Sequence, residues 1–264
     1  MKALIKIGGT LLDSPQSRSR LASEIGSAIE NGLRAAVVHG GGKQMTRFLA
    51  DRGVESQFVN GLRVTTPDVL DAVLKVLAGS VNQELVAAFV AAGVKAVGLT
   101  GMDGLITEAR QMSEEMGAVG TPTWSDARLL NLLQENSYLP VIACVAGDRQ
   151  GRFYNVNADQ MATSLGLVMK VNQLIFLTDV DGVRDQNNVI RNTLSIQECR
   201  SLIRAGIATG GMQAKLNSAI AALEGGIDEV VIAPGAQPGI IESLTGGERV
   251  GTRLVSAIGV ENHG

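Results

Sequence analysis

Ala3-Leu-Ile-Lys-Ile-Gly-Gly-Thr10, at the head of a 264-residue chain, holds the key to its architecture. Leu4, Ile5 and Ile7 form a short apolar run that Gly8 and Gly9 end, which reads as a buried strand entering a tight loop. Lys6 sits inside that run, and a lysine in a buried strand is costly unless something pairs with it. Glycines carry no side chain, so a ligand can approach the loop backbone closely. A strand, a cation and a bare turn together describe an anion site.

The same device recurs at once. Arg34-Ala-Ala-Val-Val-His39 reads as a strand, and Gly40-Gly-Gly42 leads into a helix over 43–52 whose free N–H groups face the loop. Between the two strands, Leu21, Ile25, Ala28 and Ile29 fall at helical spacing until Asn31-Gly32 stops them. Two strand ends opening into glycine loops point to an α/β sheet with its site at the carboxyl ends of the strands. Asn60-Gly61, followed by alternating apolar and polar residues, is the strongest hairpin signal. Residues 67–93 read as helical in two pieces broken near Gly79-Ser80, and 105–124 as an antiparallel excursion. Further strands are expected at 96–100, 139–146, 173–178 and 229–233, the last clear one. Helices are expected over 126–136, from Asp159 to about Met169, and over 195–205 and 213–223. The pattern predicts two lobes sharing one sheet, with their boundary near Lys170.

Composition narrows the function. Hydrophobic residues make up 45% of the chain but aromatics only 3%, so Val, Leu, Ile and Ala must build the core, as strands covered on both faces require. A net charge of −3 offers no electrostatic case for nucleic acid. No run approaches the roughly 18 uninterrupted apolar residues of a membrane span. Cys144, inside an apolar run, reads as a small core residue. With Cys199 it is one of only two cysteines and no cationic, apolar leader is seen, so a reducing cytoplasm is the expected setting. His39 and His263 are too few for a histidine metal site, and His263 lies in a terminal segment that reads as a frayed tail.

Common nucleotide motifs are absent. Gly42-Lys43-Gln44 lacks the hydroxyl residue that a P-loop supplies to magnesium, and no G-x-G-x-x-G occurs. Asp179-Val-Asp-Gly182 starts like a calcium loop but lacks the later ligands. What remains is a series of small anion-binding elements: Lys6-x-Gly8-Gly9, His39-Gly40-Gly41-Gly42, and Lys215 in the helix after Gly210-Gly211. Asp159 opens a helix after Asn155-Val-Asn157, and Arg63 at the hairpin carries a planar fork suited to a carboxylate. Singly, each has a plainer reading: Lys215 and Arg63 as solvated charges, Asp159 as a helix cap, the glycines as turns.

In order and wording, however, these elements resemble the amino-acid kinase family. The motifs are Lys6-x-Gly-Gly9, Val38-His-Gly-Gly-Gly42, Asn60-Gly-Leu-Arg-Val-Thr65, Gly98-Leu-Thr-Gly-x-Asp-Gly104, Asn155-Val-Asn-Ala-Asp159, Thr178-Asp-Val-x-Gly182 and Gly210-Gly-Met-x-x-Lys215. They span nearly the whole chain. The resemblance implies an α/β fold: a three-layer αβα sandwich on a mostly parallel central sheet. Residues 1–170 would bind the amino acid and dimerise, and 171–264 would bind ATP. Within the family, the branch that phosphorylates N-acetyl-L-glutamate on its side-chain carboxylate fits best, with Mg2+ arriving on ATP. By that analogy Lys6 and Lys215 flank the transferring phosphoryl and Asp159 holds both lysines. Gly8 and Gly9 bind phosphate, and Gly9, Gly41 and Gly42 donate N–H bonds to the phosphoryl and the reacting carboxylate. Arg63 and Asn155 hold the rest of the amino acid, and Thr178, Asp179, Gly182, Gly210 and Met212 belong to the ATP lobe. A carboxylate is already ionised near neutral pH, so this chemistry needs no general base. Arginine-inhibited hexamers of the family carry a helix ahead of the first strand; here the strand begins at about residue 3, and an arginine-insensitive homodimer is expected. The rivals are a kinase of α-aminoadipate displayed on a carrier protein and a non-catalytic sensor of nucleotide or amino acid.

Overall fold

Lys2–Ile7 forms β1, and every residue in it after Lys2 is buried. The structure, a computed structural model, describes residues 1–257; the expectation for His263 lies outside them. A 3-10 turn, Gly9–Leu12, leads to α1 (Pro15–Glu30), where the Ser14 hydroxyl caps the helix by accepting from the Ser17 N–H. Next come β2 (Arg34–His39) and α2 (Gly42–Ala50). The hairpin of β3 (Phe58–Val59) and β4 (Leu62–Arg63) turns on Asn60 and Gly61, with φ of 50° and 79°, as the favoured two-residue hairpin turn requires.

Residues 67–91 differ from expectation. α3 (Pro67–Val73) and α4 (Asn82–Ala91) are joined without a break by a π-helical segment, Leu74–Val81. Gly79 and Ser80 weaken a helix but do not forbid one as proline does, and buried Val76, Leu77 and Val81 hold the segment against the core. The run Pro67–Ala91 is long and apolar enough to cross a membrane by length and composition. It also carries Asp68, Asp71, Lys75 and Glu84, and its Leu85 and Phe89 are fully buried, as in a core helix.

The antiparallel excursion is present as β6 (Thr107–Gln111) and β7 (Val119–Ser125), which follow β5 (Ala96–Thr100). After α5 (Arg128–Glu135), the single strand expected over 139–146 is two. β8 (Leu139–Ala143) stays in the main sheet, while β9 (Val145–Gly147) leaves it at Cys144 and closes a small barrel with β6, β7 and β10 (Phe153–Val156). The Cys144 N–H still bonds the His39 carbonyl, while its own carbonyl accepts from Val156, so one residue serves both sheets. Buried Asp148 ties the β9–β10 turn, accepting from the Gln150 and Arg152 N–H groups, the Arg152 guanidinium and the Tyr154 hydroxyl.

The chain continues through α6 (Ala158–Met169), β11 (Gln173–Thr178), β12 (Thr193–Ser195), α7 (Ile196–Arg204), α8 (Gly210–Glu224) and β13 (Glu229–Pro234). It closes with α9 (Ile240–Thr245) and β14 (Thr252–Val255), so 229–233 is not the last strand. β14 was hidden because it is short and follows a glycine-rich turn. The eight-stranded sheet runs β12-β14-β13-β11-β1-β2-β8-β5, parallel except at β13–β14. Helices α1, α4 and α9 pack together on one face, and α5, α6, α7 and α8 cover the other, giving three layers. β1 lies between β2 and β11, with Ile7 opposite His39 and Leu177. Three loops therefore leave the sheet side by side.

Candidate active site

Lys6 is the polar member of a buried strand, opposite Val38 on one side and Phe176 on the other. Its ammonium lies 2.8 Å from Asp159 Oδ1, as an ion pair outside good hydrogen-bond alignment. The other carboxylate oxygen, Oδ2, lies 3.4 Å from the Lys215 ammonium. Three elements thus meet at one carboxylate: β1, the first turn of α6 and the first turns of α8. Asp159 does not cap its helix; Asn157 does, accepting from the Asp159 and Gln160 N–H groups, which leaves the Asp159 carboxylate to the lysines. Burial alone would raise the Asp159 carboxyl, but the two ammonium groups overcome it and hold it below the ordinary carboxylate range.

The glycine loops abut this cluster. The N–H of Gly8 donates to Leu177 O, so Gly8 has no donor left for phosphate, a departure from the role read for it. What it provides is room, since a Cβ there would lie 3.0 Å from the same carbonyl. Gly9 opens the 3-10 turn beside it. Gly41 precedes α2, and a Cβ on it would come within 2.5 Å of the Leu77 side chain, so a larger residue there would have to displace that leucine from the cavity wall.

A cavity of about 240 Å³ adjoins the cluster. Lys6, Gly41, Gly42, Arg63 and Asn155 all line it, which brings the sequence-predicted substrate residues to one place. Arg63 is braced by the Gly42 carbonyl at 3.1 Å, by Thr46 at 2.8 Å and by the Ser56 hydroxyl, and its guanidinium lies 4.6 Å from the Phe58 ring centroid. Asn155 donates to the Thr65 hydroxyl, which in turn donates to the Arg63 carbonyl, so hairpin and barrel are tied at the cavity. Cys144 is also in the wall. Burial pushes its thiol up to about 11, which disfavours the thiolate at neutral pH.

On the other side, Thr178 ends β11 and donates to Asp179, and Gly210 and Met212 open α8. Gly182 is not drawn to the cluster. It packs under β14, where a Cβ would lie 2.7 Å from the Thr252 hydroxyl. Sequence reasoning missed the apolar wall of Met45, Val73, Leu77 and Val119, and it missed Asn82, a buried amide that reaches His39. Asn82 stands in sequence beside Ser80, Gln83 and Glu84, so nothing local marked it out from solvated polar neighbours.

The profile of the amino acid kinase family matches residues 1–234. Over 257 residues, 97% of this chain and the whole of the relative, the sequence is 58% identical to an acetylglutamate kinase of Solibacter usitatus. It is 38% identical to an acetylglutamate kinase of Koribacter versatilis, over 98% of this chain and the whole of that one. Among solved structures, smu.665 from Streptococcus mutans UA159 superposes with a TM-score of 0.84 at 25% identity, covering 97% of this chain and 99% of that one. With its sheet order, paired lysines and glycine loops in place, the chain belongs to the amino acid kinase family.

Proposed function

We propose that this protein transfers the γ-phosphoryl group of ATP to the side-chain carboxylate of N-acetyl-L-glutamate, an early step in making arginine. The observation that carries the reading is Asp159 held between Lys6 and Lys215 beside a cavity that presents Arg63 and Asn155. The acetylglutamate kinase names of relatives at 58% and 38% identity support the choice of acceptor.

In the transfer, a carboxylate oxygen forms a bond to the γ-phosphorus while the bond to the bridging oxygen breaks and ADP leaves with that electron pair. The product is an acyl phosphate, and no proton needs to move. The obstacle is repulsion between two anions, so catalysis consists of positioning and charge stabilisation. Lys6 and Lys215 supply positive charge at the phosphoryl, and Asp159 fixes where those charges sit. Gly9, Gly41 and Gly42 contribute backbone N–H groups. Arg63 and Asn155 hold the α-carboxylate and amide of the acceptor. Residues 1–170 serve the amino acid and 171–264 the nucleotide, with Thr178, Asp179, Gly210 and Met212 on that side.

Mg2+ enters as part of the substrate. Among the described residues no cluster of three His, Cys, Asp or Glu side chains suits a metal ion, and both Asp159 oxygens face lysines. Mg2+ would be held by the phosphates of ATP and by water. Two buried free cysteines suit a reducing cytoplasm. The protein is a homodimer joined through helices of its N-terminal half, where Ala87, Val90 and Ala91 leave an apolar face of α4 exposed. Light scattering is expected to give twice the chain mass, and a monomer or hexamer would refute the assembly.

The function is tested by ADP release with Mg-ATP and, in turn, N-acetyl-L-glutamate, L-glutamate and α-aminoadipate. Turnover with the acetylated acceptor alone is expected. Silence with all three in protein that binds ATP would overturn the reading in favour of a sensor or a carrier-linked kinase. Arg63→Ala is expected to raise the KM for the acceptor about ten- to a hundredfold, the loss of about 1.5–3 kcal/mol from one charged hydrogen-bonding group. The KM for Mg-ATP should stay within about twofold; a parallel rise in both would remove Arg63 from the acceptor site.

A further inference from the structure

We propose that His39 is a positioning residue: its imidazole, locked by Asn82, fixes the Gly40–Gly41 peptide so that the Gly41 N–H is aimed into the substrate cavity. The proposal rests on the phosphoryl-transfer reading above.

His39 and Asn82 are polar side chains in the apolar interior, 0% and 1% exposed. His39 Nδ1 lies 2.9 Å from the Gly40 carbonyl oxygen. A carbonyl only accepts, so Nδ1 carries the proton, and Nε2 is left as an acceptor. Asn82 Nδ2 lies 2.9 Å from Nε2 and 3.0 Å from the Val141 carbonyl oxygen. Both neighbours accept, so the amide nitrogen faces them and both its protons are used. One tautomer and one amide orientation satisfy the whole set. Burial pushes the imidazole down to about 4, which keeps the ring neutral at pH 7.

The arrangement also constrains β5. A Cβ on Gly98 would lie 2.1 Å from Asn82 Oδ1, so the amide oxygen occupies the space a side chain there would need. Asn82 itself stands at the junction of the π-helical segment and α4.

What this fixes follows from the peptide bond. In a trans peptide the carbonyl of one residue and the N–H of the next point in opposite directions. The Gly40 carbonyl is turned inward to the imidazole, so the Gly41 N–H is turned away from it, and Gly41 lines the cavity with Lys6. Gly40 and Gly41 carry no side chains to hold that plane, and glycine is the residue freest to rotate it. His39 supplies the restraint. An apolar pair here would take the donor from the Gly40 carbonyl and leave the peptide plane with nothing to hold it, so the polar pair does more than fill space.

The test compares two isosteric halves of histidine in the full-length enzyme. His39→Asn keeps a donor at the Nδ1 position, and His39→Gln keeps an amide near Nε2 but loses the donor to Gly40. With N-acetyl-L-glutamate and Mg-ATP, His39→Asn is expected to hold kcat within about threefold of wild type. His39→Gln is expected to lower kcat about tenfold or more, with the KM for Mg-ATP within about twofold, as a misaimed backbone donor should. Equal kcat values for the two variants would overturn the proposal, because a packing role treats them alike. Should wild type turn over no acceptor, the functional reading fails alone. The ¹⁵N–¹H resonance of Gly41 then decides: kept in His39→Asn and displaced in His39→Gln supports the restraint, and equal displacement in both refutes it.

Discussion

Lys215→Ala is expected to lower kcat for acetylglutamate phosphorylation about a hundredfold or more while leaving the melting temperature close to that of wild type. Removing one pre-organised donor to transition-state charge commonly costs 10²- to 10³-fold. The fold should survive because Lys215 is at the edge of the cluster, with 17% of its side chain exposed, and Asp159 keeps its closer partner, Lys6, at 2.8 Å. Lys6→Ala is expected to lose as much in turnover. Lys215→Arg should rescue poorly, because a planar fork does not reproduce a compact ammonium at one point. Steady-state ADP release on protein checked by thermal melting decides it. A Lys215→Ala enzyme within tenfold of wild type would remove Lys215 from the chemistry.

Asp159→Asn should act first on stability. The carboxylate is 5% exposed and faces two cations, and removing one member of a buried charged set typically costs about 3–5 kcal/mol. Urea unfolding at pH 7 is expected to show a loss of about 3 kcal/mol. The pH dependence has a definite sign. A carboxyl whose folded pKa is lowered contributes stability that is fully present above its unfolded value and lost as pH falls through the folded one. The gap between wild type and Asp159→Asn should therefore be flat from pH 8 to pH 5 and close only in stronger acid. His39, lowered from 6.5 to about 4, costs both proteins stability as pH falls between those values, so it cancels in the difference. A gap already closing at pH 6 would show that the lysines do not hold Asp159 ionised.

Much of this was legible in advance where local chemistry leaves few options. An apolar run ending in Gly8-Gly9 and another ending in Gly40-Gly41-Gly42 read as strands entering loops, Asn60-Gly61 reads as a hairpin turn, and the structure has all three. Lys6 was conspicuous because a buried strand does not tolerate an unpaired cation. Other features depend on partners distant in the chain. Nothing near Cys144 announces that the strand leaves one sheet for another there, because the reason is the β10 strand arriving to accept it. Gly79-Ser80 looked like a helix break, since propensity weighs the residues but not the core that presses on them. Asn82 and His39 are 43 positions apart, and only the folded packing brings an amide against an imidazole. Gly8 shows the limit within a motif: the sequence marks it as a loop glycine, yet its N–H bonds the Leu177 carbonyl of β11.

The central place of β1 also bears on how the chain is made. β1 is hydrogen-bonded on one flank to β2, which emerges soon after it, and on the other to β11, at Gln173–Thr178. Until the ribosome has delivered that distant segment, β1 keeps an open edge, and Asp159 has not yet arrived to meet Lys6. Neither half can complete its share of the sheet alone. Folding should then be a late, all-or-none event for the whole polypeptide, slowed by the long loop that must close, and a nascent chain halted before residue 173 should remain sensitive to protease.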